Sequence, residues 1–288
     1  MVRPALVVAA ALLCGGPLSA QPVVERITWL AGDTVAGRGA GGARPSDRLI
    51  DWVSARLPGI AHERIVANAK RSWALIERGE PVCHAGAVRS AQREALAYFS
   101  NTWLMPPPQL IARRDHVATL PVDAAGRVDL TALLADPRRQ GVVVHGRSYG
   151  PVLDARLGQP AAQAALRRVT PGDFGSNLMS MLLQGRADYT IEFPNVLAAL
   201  AQGQPEVAGL AMLPIRGAME PVIGGVACPR TPWGQAAIHR IDAVLGTPEG
   251  AAMLREGLMA DLPAESRRQY RDLIDSFFHQ RSQPTPGL

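Results

Sequence analysis

The sequence predicts an α/β protein folded as two lobes. Short apolar, β-branched segments alternate with capped amphipathic helices over the first hundred residues, the pattern of strand–helix units in a parallel sheet. Beyond Arg114-Asp115 the same alternation starts again. At 288 residues the chain is long enough to build two cores.

The composition is globular, with 47% hydrophobic and 19% charged residues. The formal net charge of +5 is carried almost wholly by arginine, Lys70 being the only lysine. These charges are scattered, not run together, which argues against a nucleic-acid-binding stripe. A basic surface still suits weak attraction to acidic ligands or anionic lipid heads.

Residues 1–20 read as an export signal. Arg3 supplies the positive start, Ala5–Leu13 is apolar but too short to span a bilayer, and Leu18-Ser19-Ala20 is a cleavage pattern. The expected mature protein starts at Gln21 and is a soluble, periplasmic one. Removal of Cys14 leaves Cys83 and Cys228. An even pair in an oxidising compartment suggests one disulfide, two buried thiols being the alternative.

Glu25–Ala31 is the first strand, and Gly32–Pro45 a Gly-rich loop. Gly37, Gly39 and Gly42 match a dinucleotide fingerprint in spacing only, because they sit several residues past the strand instead of in an immediate turn. Ser46 caps a helix whose apolar face is Leu49, Ile50, Val53 and Leu57, ended by Pro58-Gly59. His62–Ala67 is a strand. Asn68 or Ser72 caps the helix carrying Trp73, Leu75 and Ile76, closed at Gly79.

Pro81–Ser100 is the third unit: a buried strand, a turn, then a helix capped by Ser90 with Arg93 on its first turn. In parallel sheets ligands bind beyond the C-terminal strand ends, where this turn falls. A helix start favours an anion, and Arg93 adds a planar fork suited to a carboxylate. A surface cap beside a solvated arginine is the plainer alternative. Asn101–Pro108 is a stiff extended turn, and Gln109–Arg113 a strand.

In the second half, Leu130–Leu134 is a helix and Gly141–His145 a strand. A turn at Gly146 leads to Ser148, the cap of helix Pro151–Leu157. Asn177–Leu183 is a helix, Tyr189–Ile191 a strand, and Pro194 opens another helix. Val207–Ile215 is extended and Gly224–Cys228 an apolar strand. Helices run from Pro232 onward, and the Pro-rich tail 282–288 reads as disordered.

Three passages, SAQREALAYFS, GRSYGPVLD and LLQGRADYTIEF, together resemble the extracellular solute-binding proteins of family three, the amino-acid-binding type. ANAKRSW, EPVCHAG and VACPRTPWG place the likeness in a divergent branch. The resemblance implies a type II periplasmic-binding-protein fold, its lobes joined by two crossing strands, here Gln109–Arg113 and Leu210–Ile215. Lobe one would comprise 21–112 and 212–281, and lobe two 113–211. By position, Arg93 would hold a ligand carboxylate, Ser90 would start its helix, and Ser148 would donate from the facing lobe. Arg71, Trp73 and Tyr149 fall near strand–helix turns, core packing being the favoured role for Trp73.

Two departures stand out. The region after the first strand is Gly-rich where the family carries an aromatic clamp. The family's amine-binding acid falls where Phe193 stands, and Glu192 comes one residue earlier, which in a strand reverses its facing side. In the two-lobe fold Cys83 and Cys228 would lie at strand ends away from the cleft, and would meet if those strands are neighbours.

The function expected is capture of a small anionic or zwitterionic, carboxylate-bearing solute for an ABC-type transporter, by a monomer without cofactor or metal. The partner would be a membrane permease or a sensor. The alternative is a sensing or partner-binding module that keeps the fold without transport. An enzyme ranks below both. There is no GxSxG elbow, the six histidines lack metal spacing, and Cys83 and His84, adjacent in a strand, face opposite sides.

Overall fold

The computed structural model describes residues 22–32, 45–170 and 176–288. The export segment and most of the Gly-rich loop lie outside them. In chain order the first half gives β1 (Arg26–Ala31), α1 (Pro45–Arg56), β2 (Ala61–Val66), α2 (Ala69–Glu77), β3 (Val82–Val88), α3 (Ala91–Glu94), β4 (Ala97–Met105), β5 (Gln109–Arg113), α4 (Leu130–Ala135) and β6 (Gly141–Val144). The second gives α5 (Pro151–Leu157), α6 (Pro160–Ala165), β7 (Leu166–Val169), α7 (Ser176–Leu183), β8 (Tyr189–Glu192), α8 (Pro194–Ala201), β9 (Leu210–Leu213), β10 (Val222–Pro229), α9 (Pro232–Leu245), α10 (Pro248–Asp261), α11 (Ala264–Gln269) and α12 (Arg271–Arg281).

The strands form two five-stranded sheets, in the orders β2-β1-β3-β10-β4 and β7-β6-β8-β5-β9. Both are mixed, not parallel as the strand–helix alternation suggests. β10 runs antiparallel to β3 and β4, and β5 antiparallel to β8 and β9. Local alternation cannot reveal a strand that returns from the other lobe. Five of the helices in the second half start on proline, whose fixed φ suits a first helical position. Thr231 and Thr247 cap α9 and α10 by accepting from the N–H groups of Gly234 and Gly250.

The first lobe is closed by chain from both ends. Ile27 and Trp29 of β1 and Ile50 and Val53 of α1 share a core with Ile238 and Ile241 of α9 and Phe277 and Phe278 of α12. The opposite face of the sheet packs Leu30, Ile76, Val82 and Phe99. The second lobe likewise has two apolar faces, one holding Leu110, Val143, Tyr149 and Leu153, the other Ile111, Val142, Leu178 and Leu182.

Four expectations change. β5 and β9 pair with one another inside the second sheet. The chain therefore crosses between sheets at Pro106–Pro108 and again between Leu213 and Val222, not within the two strands expected. The helix at Ser90 is a single turn, and the following segment is strand β4, whose partner β10 lies over a hundred residues away in sequence. α6 and the short edge strand β7 carry no signal that local reading picks out. The tail is ordered, since Thr285 is buried and bonded to Asp242 through both its N–H and its hydroxyl. Composition alone marks 282–288 as disordered, but the partner that holds it sits on α9.

β10 also determines where Trp103 can go. A Cβ at Gly224 would lie 2.0 Å from the Trp103 ring, so only glycine leaves room for that indole across the sheet, beside a shift in the pairing register. Cys83 and Cys228 lie side by side on β3 and β10, bonded, with Cα atoms 4.4 Å apart and a sequence separation of 145. Both sit in the core with Trp29, near the start of β3. In the chain-entropy view a loop of that length is worth about 5 kcal/mol as an upper figure. Cys83→Ser is accordingly expected to lower the melting temperature, and reductant to lower that of the parent to the same level. Equal melting curves with and without reductant would contradict this.

Candidate functional site

At the end of β3 the Ser90 hydroxyl accepts the N–H of Arg93 at 3.4 Å, from an extended backbone. The helix it caps is four residues long, too short to attract an anion through its dipole, so the burden falls on the Arg93 side chain. Its Nη1 donates to the Val88 carbonyl at 3.0 Å in its own lobe. Its Nη2 donates to the Gly146 carbonyl at 3.1 Å in the other. The guanidinium carbon lies 4.3 Å from the centroid of the Trp73 ring. Burial pulls its pKa down to about 10, with Asp154 opposing and Arg147 adding to the fall. Arg93 is still charged at neutral pH.

Trp73 is held by α2, whose first turn is fixed by Asn68 accepting from the Arg71 N–H at 2.9 Å. The His84 ring stacks near the indole, centroids 6.3 Å apart. His84 Nδ1 accepts the Gly86 N–H at 3.0 Å, so the neutral ring carries its proton on Nε2. Burial, and then repulsion from Arg93, lowers its pKa to about 3.

On the facing lobe, Gly146 turns with φ 77. The Ser148 hydroxyl donates to Asp154, which also accepts the Tyr149 N–H at 2.8 Å. Arg147 pairs with Glu192 at 2.6 Å. Phe193 meets Trp103 edge-on across the cleft, centroids 6.4 Å apart.

These groups border a cavity of about 470 Å³ between the lobes. Trp73, His84, Arg93, Arg147 and Ser148 line it. Leu49 from α1, Leu254 and Leu258 from α10, and Val196 from α8 add apolar wall, alongside the polar Arg48, Asn195 and Asp261 from the same helices and Gln202 at the end of α8. Of the residues expected at the site, Arg93 and Ser148 line it, and Ser90 acts one step back as the cap. Arg71 does not line it, its side chain being exposed on the outside of α2. Tyr149 turns into the second-lobe core, where its hydroxyl accepts the Val144 N–H at 3.1 Å. Glu192 is 2% exposed and spent on Arg147 and the Phe193 N–H, off the cavity wall. Local reading missed His84, Arg147, Trp103 and Phe193 as wall residues and favoured core packing over the cleft for Trp73, which does both, packing against the first-lobe core while lining the cavity. A tryptophan one turn into a helix that starts at a strand end is the one signal that points to the cleft.

The titration of His84 can be followed through folding. From pH 6.5 down to about 3, the unfolded ring takes a proton that the folded ring refuses. Stability is therefore undiminished above pH 6.5 and falls as pH drops, by about 2 kcal/mol at pH 5. His84→Asn, which retains an acceptor for Gly86, is expected to flatten the plot of melting temperature against pH in that window. Identical slopes for parent and variant would refute it.

No family model and no curated protein matches the chain. Solved structures do. The amino acid ABC transporter substrate-binding protein AbpA of Streptococcus pneumoniae, bound to L-arginine, superposes with TM-score 0.58 over 83% of this chain and 97% of its own, at 15% identity. An ancestral arginine-binding protein bound to glutamine gives TM-score 0.61 over 82% and 97%, also at 15% identity. The chain has the fold of the periplasmic binding proteins. A histidine kinase sensor domain similar to periplasmic binding proteins matches equally far, with TM-score 0.59 over 88% and 96% at 15% identity. Likeness at this distance shows the periplasmic-binding-protein fold alone. Among the described residues, no helix is long and apolar enough to cross a membrane and no cluster of metal-ligating side chains occurs.

Proposed function

We propose that the protein is a periplasmic solute-binding protein that closes its two lobes around a small carboxylate-bearing solute and presents it to an ABC-type transporter. The observation that carries this reading is Arg93. It is held on Trp73, points from one lobe to a carbonyl of the other, and borders the cavity beside Arg147 and the Nε2–H of His84. Two of its five N–H groups are engaged by Val88 and Gly146, which leaves donors for a carboxylate. Closure is a hinge motion at Pro106–Pro108 and the Leu213–Val222 return. The groups present bind and orient, and we assign no catalytic step to them.

A thermal-shift screen of amino acids, peptides and simple carboxylates on the mature chain tests the reading. A solute that raises the melting temperature of the parent but not of Arg93→Ala supports it. If no compound shifts the parent, capture of a small solute is the wrong function.

The similarity to a histidine kinase sensor domain over 88% of the chain favours a second reading, a ligand-sensing module. A pull-down from periplasm separates the two. Recovery of a permease supports transport, and recovery of a sensor protein without a permease supports sensing.

A further inference from the structure

We infer that the solute is a carboxylate with an apolar body and no ammonium group, a des-amino or hydroxy acid instead of an α-amino acid. This deepens the solute-binding reading and rests on it.

Charge at the cavity wall disfavours an ammonium. An ammonium group taken from water into a closed cleft needs an anionic partner. Among the described residues that line the cavity the only acid is Asp261, and it already accepts from Arg48 at 3.2 Å. Glu192 is buried against Arg147 and Asp154 holds Ser148 and the Tyr149 N–H, both off the wall. The wall instead presents Arg93 and Arg147, which attract a carboxylate and repel an ammonium.

The wall also carries an unsatisfied acceptor. Asn195 lines the cavity with its Oδ1 buried and, among the described residues, without a hydrogen-bond partner. A neutral acceptor of this kind suits a hydroxyl on the solute. It is a weak match for an ammonium, whose charge it leaves uncompensated.

The apolar side chains of the wall favour an apolar body. Leu49, Val196, Leu254 and Leu258 line the cavity, and an apolar body laid against them leaves water favourably.

Titration calorimetry on the mature chain at neutral pH tests this with matched compounds. 3-Phenylpropionate, L-3-phenyllactate and L-phenylalanine differ only in bearing hydrogen, hydroxyl or ammonium at one carbon. The two acids without nitrogen are expected to bind, with phenylalanine weaker by about tenfold or more. Along acetate, butyrate and hexanoate, affinity is expected to rise about fourfold per added methylene. Tighter binding of phenylalanine than of its two analogues would overturn the inference while leaving the solute-binding reading in place. Equal affinity along the straight-chain series would overturn the apolar body. If none of these compounds nor any amino acid binds, the solute-binding reading itself fails, and the inference with it.

Discussion

Asp242→Ala is expected to destabilise the protein by about 3–5 kcal/mol, a fall of roughly 6–20 °C in melting temperature for a chain of this size. Asp242 and Arg281 are each only 2% exposed at the side chain and lie 2.9 Å apart. The same carboxylate accepts from the Ser100 hydroxyl at 2.5 Å and from Thr285 through its N–H at 2.7 Å and its hydroxyl at 2.8 Å. Arg281 also donates to Ser100 at 3.0 Å. Removing the acid leaves a buried guanidinium without a counter-charge and strips the tail of its anchor. The loss therefore exceeds what an exposed pair would show, about 0–1 kcal/mol. Thr285→Ala, which keeps the ion pair and removes one donor, is expected to cost about 1 kcal/mol. Thermal melts followed by circular dichroism read both. A fall within 1 kcal/mol for Asp242→Ala would show that the tail and α9 are not coupled through this group.

Arg93→Ala is expected to weaken solute binding by about a hundredfold or more, measured by calorimetry on the tightest solute found. Losing a charge-assisted, two-pronged contact to a carboxylate in a water-poor cleft is worth roughly 3 kcal/mol or more. Arg93→Lys is expected to rescue little, because an ammonium cannot lie flat on Trp73 while reaching Val88 and Gly146. An alanine variant that keeps affinity within about fivefold would remove Arg93 from the anchor role and leave it as a bond between lobes.

The fold class was legible because its signals are local. Asn68 and Ser90 cap helices as their side chains dictate, Gly79 ends α2 with positive φ, and the period-two pattern of β1 places Ile27 and Trp29 on one face. What escaped is non-local. β4 is a strand because β10 lies beside it, and the tail is ordered because Asp242 waits 43 residues earlier. The cleft divides in the same way. Arg93 announces itself by its place on a capped turn. His84 gains meaning only through Trp73 and the Gly86 N–H, and Phe193 only through Trp103 on the other lobe. The cysteine pair was readable from its even count, and its place at strand ends from the two-lobe likeness, while the adjacency of β3 and β10 that joins it needed the sheet itself.

The bond from Arg93 to the Gly146 carbonyl also sets a clock. The side chain assigned to the solute is also a latch between the lobes, reinforced by Trp103 against Phe193. While that latch is made, solute cannot enter the cleft by diffusion alone. Uptake through an open form would discount the apparent affinity by the fraction of molecules that are open. The observed association rate would climb with solute concentration only until it meets the rate of unlatching, and then level off. A protein built this way trades speed of capture for the certainty that what it holds has displaced the protein's own contacts.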